Sequence, residues 1–226
     1  MATLVISLGG SLIVPKEIDT AFLKNFSAII KKISKKNKIV IVTGGGATAR
    51  RYIVSVRKKN LHEKFSSLVG IESTKLNAAL VAAYLSRFHI LPDSLEEVEK
   101  ELKDHGVVVC GALGFTPNMT SDGDAAQIAA YLEADIFINL TNVDGLYDKN
   151  PRERGARLIK KISFKNFKKI ADKIKYSAGQ HFVLDQVAAG ILSKVKIKTF
   201  IINGRNLKNF MNVLKGKVFI GTMIYD

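Results

Sequence analysis

The chain has 226 residues with no tryptophan, one cysteine, four prolines and four histidines, and each scarcity removes a class of protein. A single cysteine forbids an intramolecular disulfide and any cysteine-rich metal site. Cys110 closes the apolar run 106–110 and reads as a buried strand position. The histidines (His62, His89, His105 and His181) are scattered without metal-ligand spacing and read as structural or surface groups. Long apolar runs are missing too. The longest, Leu4 to Val14, has 11 residues and includes two serines and two glycines, too short to span a bilayer. No basic stretch precedes it and no small-residue cleavage site follows. No secretory signal is therefore expected, and the expected location is cytoplasmic.

Acidic residues are few: 20 Asp and Glu stand against 35 Lys and Arg, a formal charge of +15. Such a surplus favours polyanionic partners and fast capture of phosphate-bearing ligands. The lysines, however, are spread over expected helix faces (Lys31, Lys32, Lys35 and Lys36; Lys165, Lys168 and Lys169) and are not interleaved with aromatics. No nucleic-acid-binding motif accompanies them. The charge therefore reads as solvated faces around an enzyme that handles anionic substrates, with nucleic acid and membrane not expected as partners.

Short Val- and Ile-rich runs alternate with helix-period segments. Strands are expected at Leu4–Leu8, Ile39–Thr43, Val107–Cys110, Ile136–Leu140 and Thr199–Ile202, with a last strand or hairpin arm in Val218–Tyr225. Helices are expected at Thr20–Ser34, Ala47–Lys58, Glu72–Ser86, Asp124–Glu133, Phe164–Ile174 and Asp185–Ser193. This alternation implies right-handed crossovers and a mostly parallel sheet covered on both faces. The prolines at 15, 92, 117 and 151 all fall between these segments, and no repeat or long linker interrupts the chain.

Four segments carry chemistry. Gly9-Gly10-Ser11 follows the first strand, where glycines let backbone approach a phosphate; a tight turn needs the same residues. Gly44-Gly45-Gly46 closes the second strand, opens a helix and is followed by Arg50. Three consecutive glycines cost chain entropy that a turn alone rarely requires, and an arginine there can clamp a phosphate. The GxxxxGK[ST] spacing is absent and GxGxxG is unmatched, which disfavours P-loop and dinucleotide-binding readings. Thr120 and Ser121 either contact a ligand or cap the next helix; Asp124 reads as the helix N-cap. Asp122 is then free to position Mg²⁺ or orient a phosphate-binding residue. Finally, the segment from Thr141 to Arg152 leaves the strand Ile136–Leu140, at the strand end where open parallel sheets bind ligands. An ordinary connection with a proline-marked turn accounts for it equally.

Together these segments resemble the amino acid kinase superfamily over essentially the whole chain. The specific pieces look like archaeal uridylate kinases: GGSLIVP at 9–15, VTGGGATARRYI at 42–53, GIESTKLNAAL at 70–80, PxxTSD at 117–122, TNVDGLYDKNPR at 141–152 and AGQHFVLDQVA at 178–188. The resemblance implies a three-layer αβα sandwich forming one domain, with the phosphoryl acceptor on residues 1–135 and ATP on residues 136–226. It implies ATP-dependent, in-line phosphorylation of UMP to UDP, with Mg²⁺ held mainly by nucleotide phosphates and no metal site of its own. By the same resemblance, Gly44, Gly45, Gly46 and Arg50 would hold the UMP phosphate, Ser67 and Gly70 would face the ribose, and Thr120 and Ser121 the acceptor. Gly9, Gly10 and Ser11 would cradle the transferred phosphoryl, and Asp122 would organise the centre. Thr141, Asn142, Gly145, Tyr147 and Asn150 would line the ATP site, with Tyr147 beside adenine. A homo-oligomer, commonly a hexamer, is implied as well.

Two positions depart from the family pattern. Many members carry a lysine two residues before the first glycine pair, where this chain has Ser7. Lys16, Lys160 and Lys161 are candidates to replace it, although each also reads as a surface lysine. Members also place an aspartate at the position of Ser67. No histidine follows the triple glycine, where isopentenyl phosphate kinases carry one, and Asp185 reads as a structural residue starting its helix. Two alternatives follow: the same fold acting on another small acceptor (a carboxylate, carbamate or phosphorylated metabolite), or a non-catalytic relative that binds nucleotide or nucleic acid.

Overall fold

The structure, a computed structural model, describes residues 1–59, 62–87, 91–117, 119–173 and 183–226. His89, His181, Ile174 and residues 178–182 of the AGQHFVLDQVA segment lie outside the described residues. In chain order the elements are β1 (Ala2–Leu8), α1 (Gly10–Ile13), α2 (Thr20–Ile33), β2 (Asn37–Thr43), α3 (Gly46–Arg57), α4 (Glu63–Leu85), α5 (Leu95–His105), β3 (Val107–Cys110), α6 (Ser121–Tyr131), β4 (Ile136–Thr141), β5 (Lys161–Ser163), α7 (Phe164–Ala171), α8 (Gln186–Val195), β6 (Lys198–Asn203), α9 (Leu207–Leu214) and β7 (Thr222–Tyr225). The strands form one sheet in the order β3-β2-β1-β4-β6-β7-β5. All neighbours are parallel except β6 and β7.

The central strands are apolar on both sides because helices cover both faces of the sheet. Alternation sorts their side chains. Leu4, Ile6 and Leu8 of β1 join Ile39 and Ile41 of β2 in a core shared with α2, α4 and α9. Val5, Val40, Val42 and Phe137 point the other way, into a core built with α5, α6, α7 and α8. Ser7 lies in register between Val42 and Asn139, on the α6–α8 side, and is 2% exposed. The α/β sandwich with a mostly parallel sheet is the architecture expected from the sequence.

Several boundaries differ from expectation. α4 begins nine residues before Glu72, at Glu63. Its first turns carry serines and exposed apolar residues, so no clean apolar stripe marks them. α5 has the charged sequence LEEVEKELKDH and buries only Val98 and Leu102. α1 and β5 have four and three residues, below the length at which periodicity speaks. α9, not expected from the sequence, buries Phe210 and Val213 and is capped by Asn206. The final strand is shorter than expected, starting at Thr222.

Candidate active site

The carboxyl ends of β1 and β2 meet in a pair of interlocked glycine loops. The Gly44 amide donates to the Leu8 carbonyl over 2.9 Å, and the Gly9 amide donates to the Leu140 carbonyl over 2.9 Å. A Cβ on Gly10 would sit 2.1 Å from the Gly46 nitrogen and 2.5 Å from the Gly44 carbonyl oxygen. Gly10 is therefore required by backbone packing between the two loops, whatever else approaches it. Gly46 is required on a second ground, since its φ of +63° is left-handed. α3 starts at Gly46 with Gly45 as N-cap and no side-chain cap, while the Ala47 amide donates to the Val14 carbonyl at 2.9 Å.

These loops floor a cavity of about 260 Å³. Its lining contains all twelve residues that the sequence assigned to catalysis and the acceptor: Gly9, Gly10, Ser11, Gly44, Gly45, Gly46, Arg50, Ser67, Gly70, Thr120, Ser121 and Asp122. Arg50 is half-buried, with its Nη2 donating to the Pro15 carbonyl at 3.4 Å, and is the one Lys or Arg lining the cavity among the described residues. Glycine-loop backbone and a guanidinium lining one cavity suit a phosphate.

The lining also includes the carboxyl groups of Asp122 and Asp124. Thr120, not Asp124, is the N-cap of α6; its Oγ1 accepts from the Asp122 amide at 3.2 Å. Asp124 lies within the first turn, 2% exposed, and accepts from the Leu113 amide at 3.0 Å, holding the loop after β3. Capping went to the hydroxyl because the buried carboxylate was committed to that loop. Asp122 accepts from Ser7 Oγ at 2.5 Å. Burial raises its carboxyl to about 7, the nearby Asp185 charge adds to the rise, and the Ser7 hydrogen bond opposes it. Burial likewise raises Asp124 to about 7.

Asp185 does cap α8, with Oδ1 accepting from the Ala188 amide at 2.7 Å. It also reaches across to α6. Its Oδ2 accepts from the Thr120 amide at 2.9 Å, Thr120 Oγ1 at 2.6 Å and the Gly123 amide at 3.1 Å. One carboxylate thus fixes the start of two helices. The sequence showed only the cap, since the partners are about 65 residues away. None of Lys16, Lys160 or Lys161 lines the cavity, and Lys161 Nζ lies 6.0 Å from the Tyr225 ring centre.

Other residues that shape the cavity carried no sequence signal. Asn77, 2% exposed, donates to the Gly44 carbonyl at 2.7 Å. Thr43 Oγ1 donates to the Thr74 carbonyl at 2.8 Å, and Thr74 Oγ1 accepts from the Ala112 amide at 2.8 Å. Ile53 and Phe115 line the cavity, Phe115 at its rim with Lys64 Nζ 5.7 Å from the ring centre. Ser66 lines it too; its Oγ is buried without a hydrogen-bond partner.

The five residues assigned to ATP sit elsewhere, at the end of β4 and in the loop beyond it, and none lines this cavity. The Thr141 carbonyl accepts from the Gly204 amide at 2.8 Å, tying β4 to the end of β6. Asn142 and Asn150 are exposed. Gly145 is buried, with a Cβ there falling 2.7 Å from Thr222 Oγ1, which makes it a packing position. Tyr147 is half-buried and bridged to Leu158; burial and Asp144 raise its phenol. Gly9 joins the two regions, because a Cβ there would lie 2.9 Å from the Leu140 carbonyl and 3.7 Å from the Thr141 Cα.

A parallel α/β sheet with phosphate-suited glycine loops at its carboxyl edge defines a nucleotide- or phosphate-handling class. Comparison with known sequences narrows it: the profile of the amino acid kinase family matches residues 2–203, and the chain belongs to that family. The uridylate kinase of Archaeoglobus fulgidus is 36% identical over 97% of this chain and 98% of its own length. The crystal structure of a uridylate kinase from the same organism superposes with a TM-score of 0.86 at 35% identity, covering 99% of this chain and all of the other. A UMP kinase from Ureaplasma parvum, 23% identical over the whole chain and 99% of its own, shares the fold with a TM-score of 0.81.

Proposed function

We propose that this chain is a uridylate kinase, an enzyme that transfers the γ-phosphoryl of ATP to UMP and releases UDP and ADP. The observation that carries the reading is end-to-end similarity, at 36% identity, to a protein named uridylate kinase. The cavity supports it, because its lining of glycine loops and Arg50 suits the acceptor phosphate. In the reaction a UMP phosphate oxygen attacks the γ-phosphorus, a new P–O bond forms, and the bond to the β,γ-bridging oxygen breaks in line. No side chain forms a covalent intermediate, and positioning with charge neutralisation supplies the acceleration.

The acceptor phosphate would rest on Gly45, Gly46 and Arg50, and the nucleoside would extend along Ser67 and Gly70. Gly9, Gly10 and Ser11 lie where the end of β1 meets the end of β4, the point at which donor and acceptor phosphates would face one another. The ATP side would be formed by Thr141, Asn142 and Tyr147, with Asn150 at its edge; Gly145 would serve by close packing. Mg²⁺ entering with ATP would be held mainly by phosphate oxygens and water and would supply neutralisation of phosphate charge. Asp122 would orient groups at the transfer point, held by Ser7. Residues 1–135 would be the acceptor half and 136–226 the nucleotide half of one domain.

Among the described residues no helix is long and apolar enough to cross a membrane; a cytoplasmic location is part of the proposal. So is self-association, supported by Tyr52, Val54, Phe65, Leu68 and Leu76, apolar residues exposed on the paired helices α3 and α4. A hexamer would be read by sedimentation or light scattering. The activity is tested by ADP release from ATP and Mg²⁺ with UMP, acetylglutamate, aspartate and carbamate offered in turn. Strong preference for UMP is the expected result, and turnover confined to another acceptor would refute the assignment.

A further inference from the structure

The +15 charge is unevenly placed along the chain. From Thr20 to His62 there are eleven Lys and Arg and no Asp or Glu, and from Gln186 to Tyr225 seven and again none. The remainder carries 17 basic residues against 20 acidic ones, so the whole surplus belongs to these two stretches. The fold brings their helices α2 and α9 together. Asp19, the N-cap of α2, pairs at 3.0 Å with Arg205, just before α9, and midway along both helices the rings of Phe26 and Phe210 stack with centres 6.5 Å apart. Both helices bury their apolar sides in the same core, so their outer sides form one surface. Lys24, Lys31, Lys32, Lys35 and Lys36 stand exposed on it from α2 and the turn that follows. Lys208, Lys215 and Lys217 add to it from α9 and its end. None of these lysines is in an ion pair among the described residues; Lys31 reaches only the Ser86 hydroxyl, at 3.5 Å.

Substrate capture does not account for this face, because none of its lysines lines the cavity. Helix dipoles account for Lys31 and Lys32 in the last turn of α2, but Lys208 lies in the first turn of α9, where a cation is unfavourable. α5 shows the ordinary arrangement, with Glu96 and Glu97 in its first turn, Lys103 and His105 in its last, and Lys103 bridged to Glu99 at 2.8 Å. A surface of one sign repels itself, and a polyanion laid over it removes that repulsion. We propose that the α2–α9 face binds duplex nucleic acid through its phosphate backbone, a function separate from phosphoryl transfer. Lysines act as compact point charges, and phosphate contacts of this kind give salt-sensitive binding without sequence readout. No large apolar or aromatic residue of α2 or α9 is exposed. The helices therefore offer no platform for unpaired bases and nothing to enter a bilayer. Val218, 92% exposed, and Ile220 follow α9 and are the apolar feature nearest to the lysines, so an anionic bilayer is the rival in the test. The lysines are dispersed along the sequence and adjacent only in the fold.

The test is fluorescence anisotropy of the full-length protein with labelled DNA and RNA duplexes of about 20 base pairs, from about 50 to 200 mM salt, where affinity should fall steeply. A variant combining Lys31→Gln, Lys35→Gln, Lys208→Gln and Lys215→Gln should bind at least about tenfold more weakly, with the slope of log affinity against log salt smaller by about 3. A control removes the same charge from the opposite face, through Lys100→Gln, Lys165→Gln, Lys169→Gln and Lys173→Gln on and beside α5 and α7, and should stay within about threefold. Melting temperature and UMP-dependent ADP release should hold in both. If the fourfold variant melts early, the pairs Lys31→Gln with Lys35→Gln and Lys208→Gln with Lys215→Gln make the same comparison, each with about half the change in slope. Binding to either duplex, lost in the α2–α9 variant alone, supports the inference. Equal losses in variant and control would overturn it, since total charge and not this face would then attract the duplex. So would absence of duplex binding at the lowest salt, or binding to phosphatidylglycerol vesicles without binding to duplex. The measurement needs neither ATP nor UMP, so its failure leaves the uridylate kinase reading standing, and absence of UMP turnover leaves this inference standing.

Discussion

The two ends of the proposed site are built by different means. The acceptor cavity is walled by side chains that hold one another: Asn77 fixes Gly44, Thr43 and Thr74 fix the strand ends, and Asp185 fixes Thr120 and Gly123. Beyond β4, the assigned nucleotide residues include the exposed Asn142 and Asn150, and Thr141 is tied to Gly204 through backbone. Buried polar bonds fix a geometry because breaking one leaves an unsatisfied group; exposed loop bonds trade with water at little cost. The acceptor side should therefore be intolerant of small changes, and the nucleotide side forgiving.

That contrast can be broken or sharpened by substitution. The largest effects should come from Arg50→Ala and Asp122→Asn, each lowering kcat/KM for UMP about 100-fold, read by coupled ADP release. Loss of less than about tenfold in Arg50→Ala would mean that the glycine-loop backbone suffices for the phosphate. Next, Gly10→Ala drives a Cβ into the Gly46 nitrogen and should cost about 3 kcal/mol, lowering the melting temperature by about 10 °C. Asn77→Ala should cost about 1–3 kcal/mol in chemical denaturation, since the Gly44 carbonyl would be left buried and unpaired.

A pH effect belongs to the same side. Asp122 and Asp124 are raised to about 7, so the folded protein retains protons that the unfolded chain has released. Unfolding free energy then falls as pH rises from about 4 to about 7, with a slope of at most about 1.4 kcal/mol per pH step of one for each carboxyl. Asp124→Asn keeps an oxygen for the Leu113 amide and should flatten this slope; a slope of unchanged steepness would place the titration elsewhere. The smallest effect is expected on the nucleotide side, where Asn150→Ala should change KM for ATP by about twofold or less. A change of about tenfold there would erase the contrast.

Much of the site was legible because glycine loops and their neighbours act locally. Gly9-Gly10-Ser11 and Gly44-Gly45-Gly46 announce turns at strand ends, and Arg50 follows one helical turn on. The early turns of α4 were not legible, because serines and exposed apolar residues leave no 3.6-residue stripe, and Ser66 was hidden there. Asp124 was misassigned as a cap because sequence cannot show a hydrogen bond from the Leu113 amide to a carboxylate eleven residues away. The role of Ser7 was invisible for the same reason, its partner Asp122 lying 115 residues along the chain.

By itself the sequence determined the parallel α/β architecture, the five adjacent strands from β3 to β6 and the loops proposed to carry the chemistry. These follow from side-chain periodicity and backbone freedom, which are properties of neighbouring residues. Only the tertiary structure decided which carboxylate caps, which braces and which faces the cavity, how the two glycine loops interlock, and that Ser66 has no partner. Those outcomes depend on burial and on bonds between residues distant in sequence, where removal from water makes every unpaired polar group count.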